Sequence, residues 1–315
     1  MKRWVPRFAA GAAVSGLMLA ALLSLTDTKT VRELFARTHP LGLLSGFVLY
    51  ALAYVPRALR LRLVGLRAPG RTLFHIACLH AAIGKLLPMR AGDLSYPFLA
   101  RRFVGQGLGE AFIGLLYLRV LDIVGVAVLF SGTLLRSRTL YRGDMTWSLA
   151  GALVLLSGSL CALLWLLPLL RAAIRAGERL FGPRALLERA RQIISNFPKL
   201  GLRAHVALGA LTLAAWLLVY GTFHALLLAF GVATTGARTV LGATAGIVAS
   251  VLPVQGLGSF GTLEAGWAAG MALIGMDLPT AVATGVGVQV FTFSYAMLLG
   301  TLGWLGLRTR PARQP

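Results

Sequence analysis

Charge is scarce in this chain. Only 13% of its 315 residues are Asp, Glu, Lys or Arg, about half the share usual in soluble domains. Acidic residues are the scarcest of these, 10 against 31 basic ones. An ordinary soluble domain is therefore excluded. The only two cysteines, Cys78 and Cys161, lie in apolar stretches without C-x-x-C spacing, so neither a disulfide framework nor a thiolate metal site is signalled. His75, His80, His205 and His224 form no His-x-x-x-His or His-Glu-x-x-His pattern, and no metal or other cofactor is assigned. Gly-x-Ser-x-Gly, a Walker loop and an Asp-rich diphosphate motif are also missing, which argues against a recognisable enzyme.

What the chain has instead is apolar length. It is 57% hydrophobic, and the apolar residues gather into runs long enough to cross a bilayer, which needs about 20 of them. The expected fold is an all-α polytopic membrane protein, a single integral domain over 1–315. Six segments qualify as full crossings: 8–25, 41–54, 109–135, 147–170, 205–231 and 280–307. The second is short and can continue through the Arg-flanked residues that follow it by tilting. The first follows a basic start but lacks a small-x-small cleavage site, so it reads as an uncleaved span.

A net charge of +21 could suggest nucleic acid, but the basic residues sit in short segments between apolar runs, with no aromatic and basic groove. They fit membrane topology and anionic headgroups better, and no nucleic-acid partner is expected. Lys2, Arg3 and Arg7, the segment from Arg57 to Arg71, the connector 171–203 with eight basic residues, and the tail from Arg308 can all face one side. The charge bias makes that side the cytoplasm and puts both termini there. The connector has apolar residues at helical intervals around Gly182-Pro183, which predicts two short amphipathic helices at the interface, facing lipid or a partner.

Two further apolar regions, 73–103 and 240–276, are each broken by a Leu-Pro stretch, Leu87-Pro88 and Leu252-Pro253. With both ends inside and six crossings, each region must enter and leave on the same side as a re-entrant helical hairpin. Two pairs of full crossings, ten spans in all, would preserve the same end topology, although the arms of the first region are too short for comfort. Counting hairpins as non-crossing, the chain repeats one plan twice: span, span, hairpin, span. The offsets between equivalent elements are about 164 to 171 residues. Three crossings per unit invert the second copy, as in many secondary transporters, with inverted repeats over 1–140 and 145–307.

Ionisable residues at membrane depth are costly and normally face an interior with a partner. Here they are few. Lys85, Arg90 and Asp93 lie at the first break, Arg119 and Asp122 inside the third crossing, and Glu264 after the second break. Arg119 and Asp122 are three apart on a helix and can pair with each other. Lys85 and Arg90 have only Asp93 nearby to offset them, and a positive excess beside a helix opening at Gly92 or Asp93 suits a phosphate. Snorkelling to the surface explains the same two residues equally well. Gly256, Gly258 and Gly261 permit close backbone approach to a ligand, or simply close helix packing.

Three stretches, taken together, resemble a known family. Pro88-Met89-Arg90-Ala91-Gly92-Asp93-Leu94, Leu118-Arg119-Val120-Leu121-Asp122, and Leu252-Pro253 with Gly256-Leu257-Gly258 and Glu264 are similar, in order, to P-x-R-x-G-E, E-R-x-x-D and L-P-x-x-x-G-x-G-x-x-E. These are signatures of the lysylphosphatidylglycerol synthase transmembrane-region family of flippase-like proteins. The resemblance implies a multi-pass protein of the bacterial inner membrane that moves an anionic phospholipid or a lipid-linked headgroup. It does not imply lysyl transfer, because no synthase domain follows before Pro315. Three positions depart from the pattern: Asp93 replaces Glu, Leu118 replaces an acid, and Gln289 stands where Arg is common.

The expected substrate-binding set is thus Lys85, Arg90, Asp93, Arg119, Asp122, Gly256, Gly258, Glu264 and Gln289, with membrane lipids as ligands. An alternative is a membrane-embedded enzyme or accessory subunit of glycolipid, polyprenyl-linked or hopanoid lipid assembly. It would use Asp93 and Glu264 as acid and base, or dock a glycosyltransferase or other lipid-synthesis partner. A small-ion transporter is a third reading, with sparse buried charge against it.

Overall fold

A computed structural model describes residues 28–87, 91–140, 144–181, 185–196, 198, 200–250 and 260–308. It is helical, with no strand among the described residues. The chain opens with α1 (Thr28–Ala36), then α2 (Pro40–Leu52) and α3 (Tyr54–Leu63). Pro40 and Pro56 both fall in first turns, where the missing N–H costs nothing. Together α2 and α3 form one stretch of 24 residues long and apolar enough to cross a membrane, as do α6 (Leu108–Arg136), α9 (Leu202–Ala229) and α12 (Leu278–Arg308). Four of the expected spans thereby find helices of suitable length and composition. The expected span 8–25 lies outside the described residues. The expected span 147–170 sits inside α7 (Met145–Phe181), a 37-residue helix.

Shorter helices flank the two breaks. Before the first is α4 (Gly70–Leu86); after it come a 3-10 turn (Ala91–Leu94) and α5 (Ser95–Val104). Leu87 is extended, at φ −96° and ψ 132°, because the proline that follows disfavours helical backbone there. The second break lies between α10 (Gly236–Ala249) and α11 (Thr262–Leu273). At about 1.5 Å per residue, arms of 17, 10, 14 and 12 residues reach only about 25, 15, 21 and 18 Å, against a hydrocarbon core of about 30 Å.

Glycine sets how closely these arms pack. On α10 and α11, Gly242 and Gly246 face Gly270 and Gly266, and a Cβ on Gly270 would collide with the Gly242 carbonyl. On α12, Gly300, Gly303 and Gly306 lie against Ala82, His75 and Cys78 of α4. Small residues let the backbones meet, which replaces the hydrophobic drive that lipid cannot supply. In the rest of the bundle α2 packs on α9, α5 on α6, α10 on α6, and α11 on α12.

The connector departs from expectation. Its first half, from Arg171, is the end of α7 rather than a separate interfacial helix; only the second half is separate, as α8 (Ala185–Ser195). The helical periodicity of the two halves was readable, but an unbroken run out of the preceding apolar helix has the same periodicity.

Candidate functional site

Helices flanking both breaks line a cavity of about 320 Å³. Its wall takes Tyr54, Arg57 and Arg60 from α3, His80, Gly84 and Lys85 from α4, Asp93 from the 3-10 turn, Arg119 and Asp122 from α6, Trp216 from α9, Leu263 from α11 and Thr292 from α12. Helical spacing explains the choice of residues. Arg57 and Arg60 are three apart on α3, and Arg119 and Asp122 three apart on α6, so each pair shares a face.

The two acidic groups of the wall are already engaged. Asp122 accepts a charged hydrogen bond from Arg60 at 2.6 Å, and its same oxygen accepts the Trp216 indole N–H at 3.2 Å. Arg60 also donates to the Thr212 hydroxyl at 3.0 Å, and Thr212 in turn donates to the Leu208 carbonyl at 2.7 Å. Asp93 is paired with Arg119. The expected Arg119–Asp122 pair does not form: the two side chains share a face, but each finds its partner on another element.

This leaves the wall with a positive excess. It carries four basic side chains, Arg57, Arg60, Lys85 and Arg119, against the carboxylates Asp93 and Asp122. Arg57 lies over the Tyr54 ring, 5.0 Å from its centroid, a contact that steadies a guanidinium without neutralising it. Lys85 donates to the Thr292 hydroxyl at 3.3 Å, bridging α4 to α12. Neither has a salt-bridge partner among the described residues.

Glu264 stands behind the wall, next to the lining residue Leu263. Its side chain is 0% exposed, and one carboxylate oxygen accepts the Gly261 N–H at 2.7 Å, closing the first turn of α11. Gly261 has φ +94°, a conformation that suits glycine. The other Glu264 oxygen accepts no hydrogen bond among the described residues, and Lys85 is near enough to act on it through charge. Asp93 and Glu264, the candidate acid and base, are thus held in different surroundings, one in an ion pair and one in a helix cap.

A family model for the lysylphosphatidylglycerol synthase TM region matches residues 8–300. The chain belongs to that family. No curated protein matches it at a significant level. In this family member the structure brings Lys85, Asp93, Arg119 and Asp122 to one cavity. Gln289 is fully buried on α12, and its backbone carbonyl accepts from the Thr292 hydroxyl, but it does not line the wall. Arg90, Gly256 and Gly258 lie outside the described residues.

Sequence reasoning missed Arg57, Arg60, His80, Trp216 and Thr292. In the sequence Arg57 and Arg60 read as basic residues flanking a span, yet Arg60 is only 4% exposed. The available signal was Asp122, a mid-span acid that had to find a cation somewhere. His80 ties α4 to α5 through a 2.9 Å bond with the Ser95 hydroxyl.

Proposed function

We propose that this protein is a flippase-like carrier that moves an anionic phospholipid or a lipid-linked, phosphate-bearing headgroup across the bacterial inner membrane. The observation that carries the reading is the cavity wall, where among the described residues Arg57 and Lys85 have no salt-bridge partner after two ion pairs have used Asp93 and Asp122. A buried positive excess is costly, and a phosphate entering the cavity offsets it. The family, described by the transmembrane part of a lipid synthase, points to the same class of ligand.

In this reading the helical arms on either side of each break are re-entrant, because each is shorter than the hydrocarbon core. Six crossings and cytoplasmic termini follow, with α7 and the segment 8–25 completing the set. The units 1–140 and 145–307 are inverted repeats. Their supporting feature is the exchange of contacts: α4 of the first unit packs on α12 of the second, and α10 of the second on α6 of the first.

The test is reconstitution into sealed vesicles with fluorescent phosphatidylglycerol on one arm and a polyprenyl-phosphate sugar on another. Wild-type protein is expected to move at least one of them faster than empty vesicles and faster than Lys85→Ala. Equal rates for every lipid would refute the assignment.

A further inference from the structure

The two ion pairs of the cavity are unlike each other. Arg60 and Asp122 are 4% and 18% exposed, and α3, α6 and α9 all contribute to their network through Thr212 and Trp216. Arg119 and Asp93 are 41% and 25% exposed, both face the cavity, and among the described residues Asp93 is the one hydrogen-bond partner shown for the Arg119 side chain. Arg119 Nε is buried and bonds nothing there. The first pair is a brace; the second is open to exchange within the cavity.

We infer that Asp93 is an internal stand-in for the cargo: its carboxylate occupies Arg119 when the cavity is empty, yields it to an entering phosphate, and retakes it to release the headgroup. The inference rests on the phosphate-carrier reading above and assigns Asp93 a role opposite to ligand binding. A carboxylate and a phosphodiester present similar oxygens to a guanidinium, so they compete for one fork. Transport benefits, because a carrier must bind well enough to load and weakly enough to unload. The turn bearing Asp93 is held in place for this task, since Gly92 packs so closely on Gly84 of α4 that no side chain would fit between them.

Competition has a signature that simple binding lacks. If Asp93 holds Arg119 for nine-tenths of the time, removing its charge tightens anion binding about ten-fold. The same change slows unloading and lowers turnover. The experiment uses the full chain in phosphatidylcholine nanodiscs, titrated with dihexanoyl phosphatidylglycerol, with inorganic phosphate as a second arm and dihexanoyl phosphatidylcholine as the neutral arm.

Asp93→Asn and Asp93→Ser are expected to bind phosphatidylglycerol about ten-fold tighter than wild type and to move it more slowly in vesicles. In an Arg119→Gln background, Asp93→Asn should leave affinity unchanged, because the contested group is gone. Tightening with inorganic phosphate alone would assign the site to a free anion and overturn the cargo role. So would unchanged or weaker lipid binding in both Asp93 variants, or failure of both to fold, which would make the pair a structural brace. If wild type binds no anion, the carrier reading itself fails; if it binds but the variants bind no tighter, only the stand-in role fails.

Discussion

Arg60 on α3 and Asp122 on α6, 62 positions apart in the chain, meet at 2.6 Å where the Arg60 side chain is almost wholly enclosed. The pair fastens three elements, because Trp216 and Thr212 of α9 hydrogen bond to it. A buried pair of this kind adds little over an apolar replacement, but breaking it strands a charge at a cost of about 3–5 kcal/mol. Asp122→Leu is therefore expected to lower the thermal unfolding midpoint in detergent markedly. Adding Arg60→Met should recover most of the loss. A double variant no more stable than Asp122→Leu would show that the stranded arginine is not the cause.

How much of this was legible beforehand depends on distance along the chain. Breaks at Leu87-Pro88 and Leu252-Pro253 announce themselves locally, because a proline in an apolar helix changes the backbone of its neighbour. Long apolar runs likewise mark α6, α9 and α12 without reference to anything else. The site was half legible. Lys85, Asp93, Arg119 and Asp122 stood out as charges in apolar surroundings, but their pairing did not, since Asp93 meets Arg119 across 26 positions and Arg60 meets Asp122 across 62. Arg60 was hidden among arginines that serve topology. Burial distinguishes it from them, and burial is a property of the packed bundle.

Glycine substitutions offer a second check on the packing. A Cβ at Gly270 would collide with the Gly242 carbonyl, whereas Gly132 on α6 has nothing within 4 Å. Gly270→Ala is expected to destabilise by about 1–3 kcal/mol, as overpacking does. Gly132→Ala should be neutral, or stabilising by up to about 1 kcal/mol through helix propensity. Chemical or thermal unfolding of both variants in the same detergent decides it, and equal losses would contradict the α10–α11 contact.

Lys85 and Thr292 are hydrogen bonded, yet they should contribute unequally to function. Lys85→Met removes a charge from the cavity and is expected to cut anionic lipid movement about ten-fold or more, whereas Thr292→Val removes one neutral bond and should cost roughly three-fold or less. Initial rates in vesicles measure both. A larger loss from Thr292→Val would move the weight of the site from Lys85 to α12.

Acid sensitivity is expected at one exposed helix start. Asp277 precedes α12, and its carboxylate accepts the Thr280 N–H at 3.0 Å; that bond holds its pKa below the ordinary value. A depressed folded pKa means that the cap contributes fully above the unfolded value of about 3.9 and is lost as pH falls through the folded one. Asp277→Ala should cost about 1 kcal/mol at neutral pH and progressively less below about pH 4. A difference from wild type that does not shrink in acid would show that the carboxylate charge is not what caps the helix.

The glycines that seat α4 against α12, and the packing of α10 against α6, bear on what half of this chain could be on its own. The short helix α4 is covered by α12, which lies far along the chain, and α10 touches α6 besides α9 and α11. A polypeptide ending after α6 would carry α4 with its glycine-matched face uncovered, and would have to find a second chain before it could be stable. The last helix thus supplies a wall that one of the earliest needs, so the chain is finished only when its end arrives.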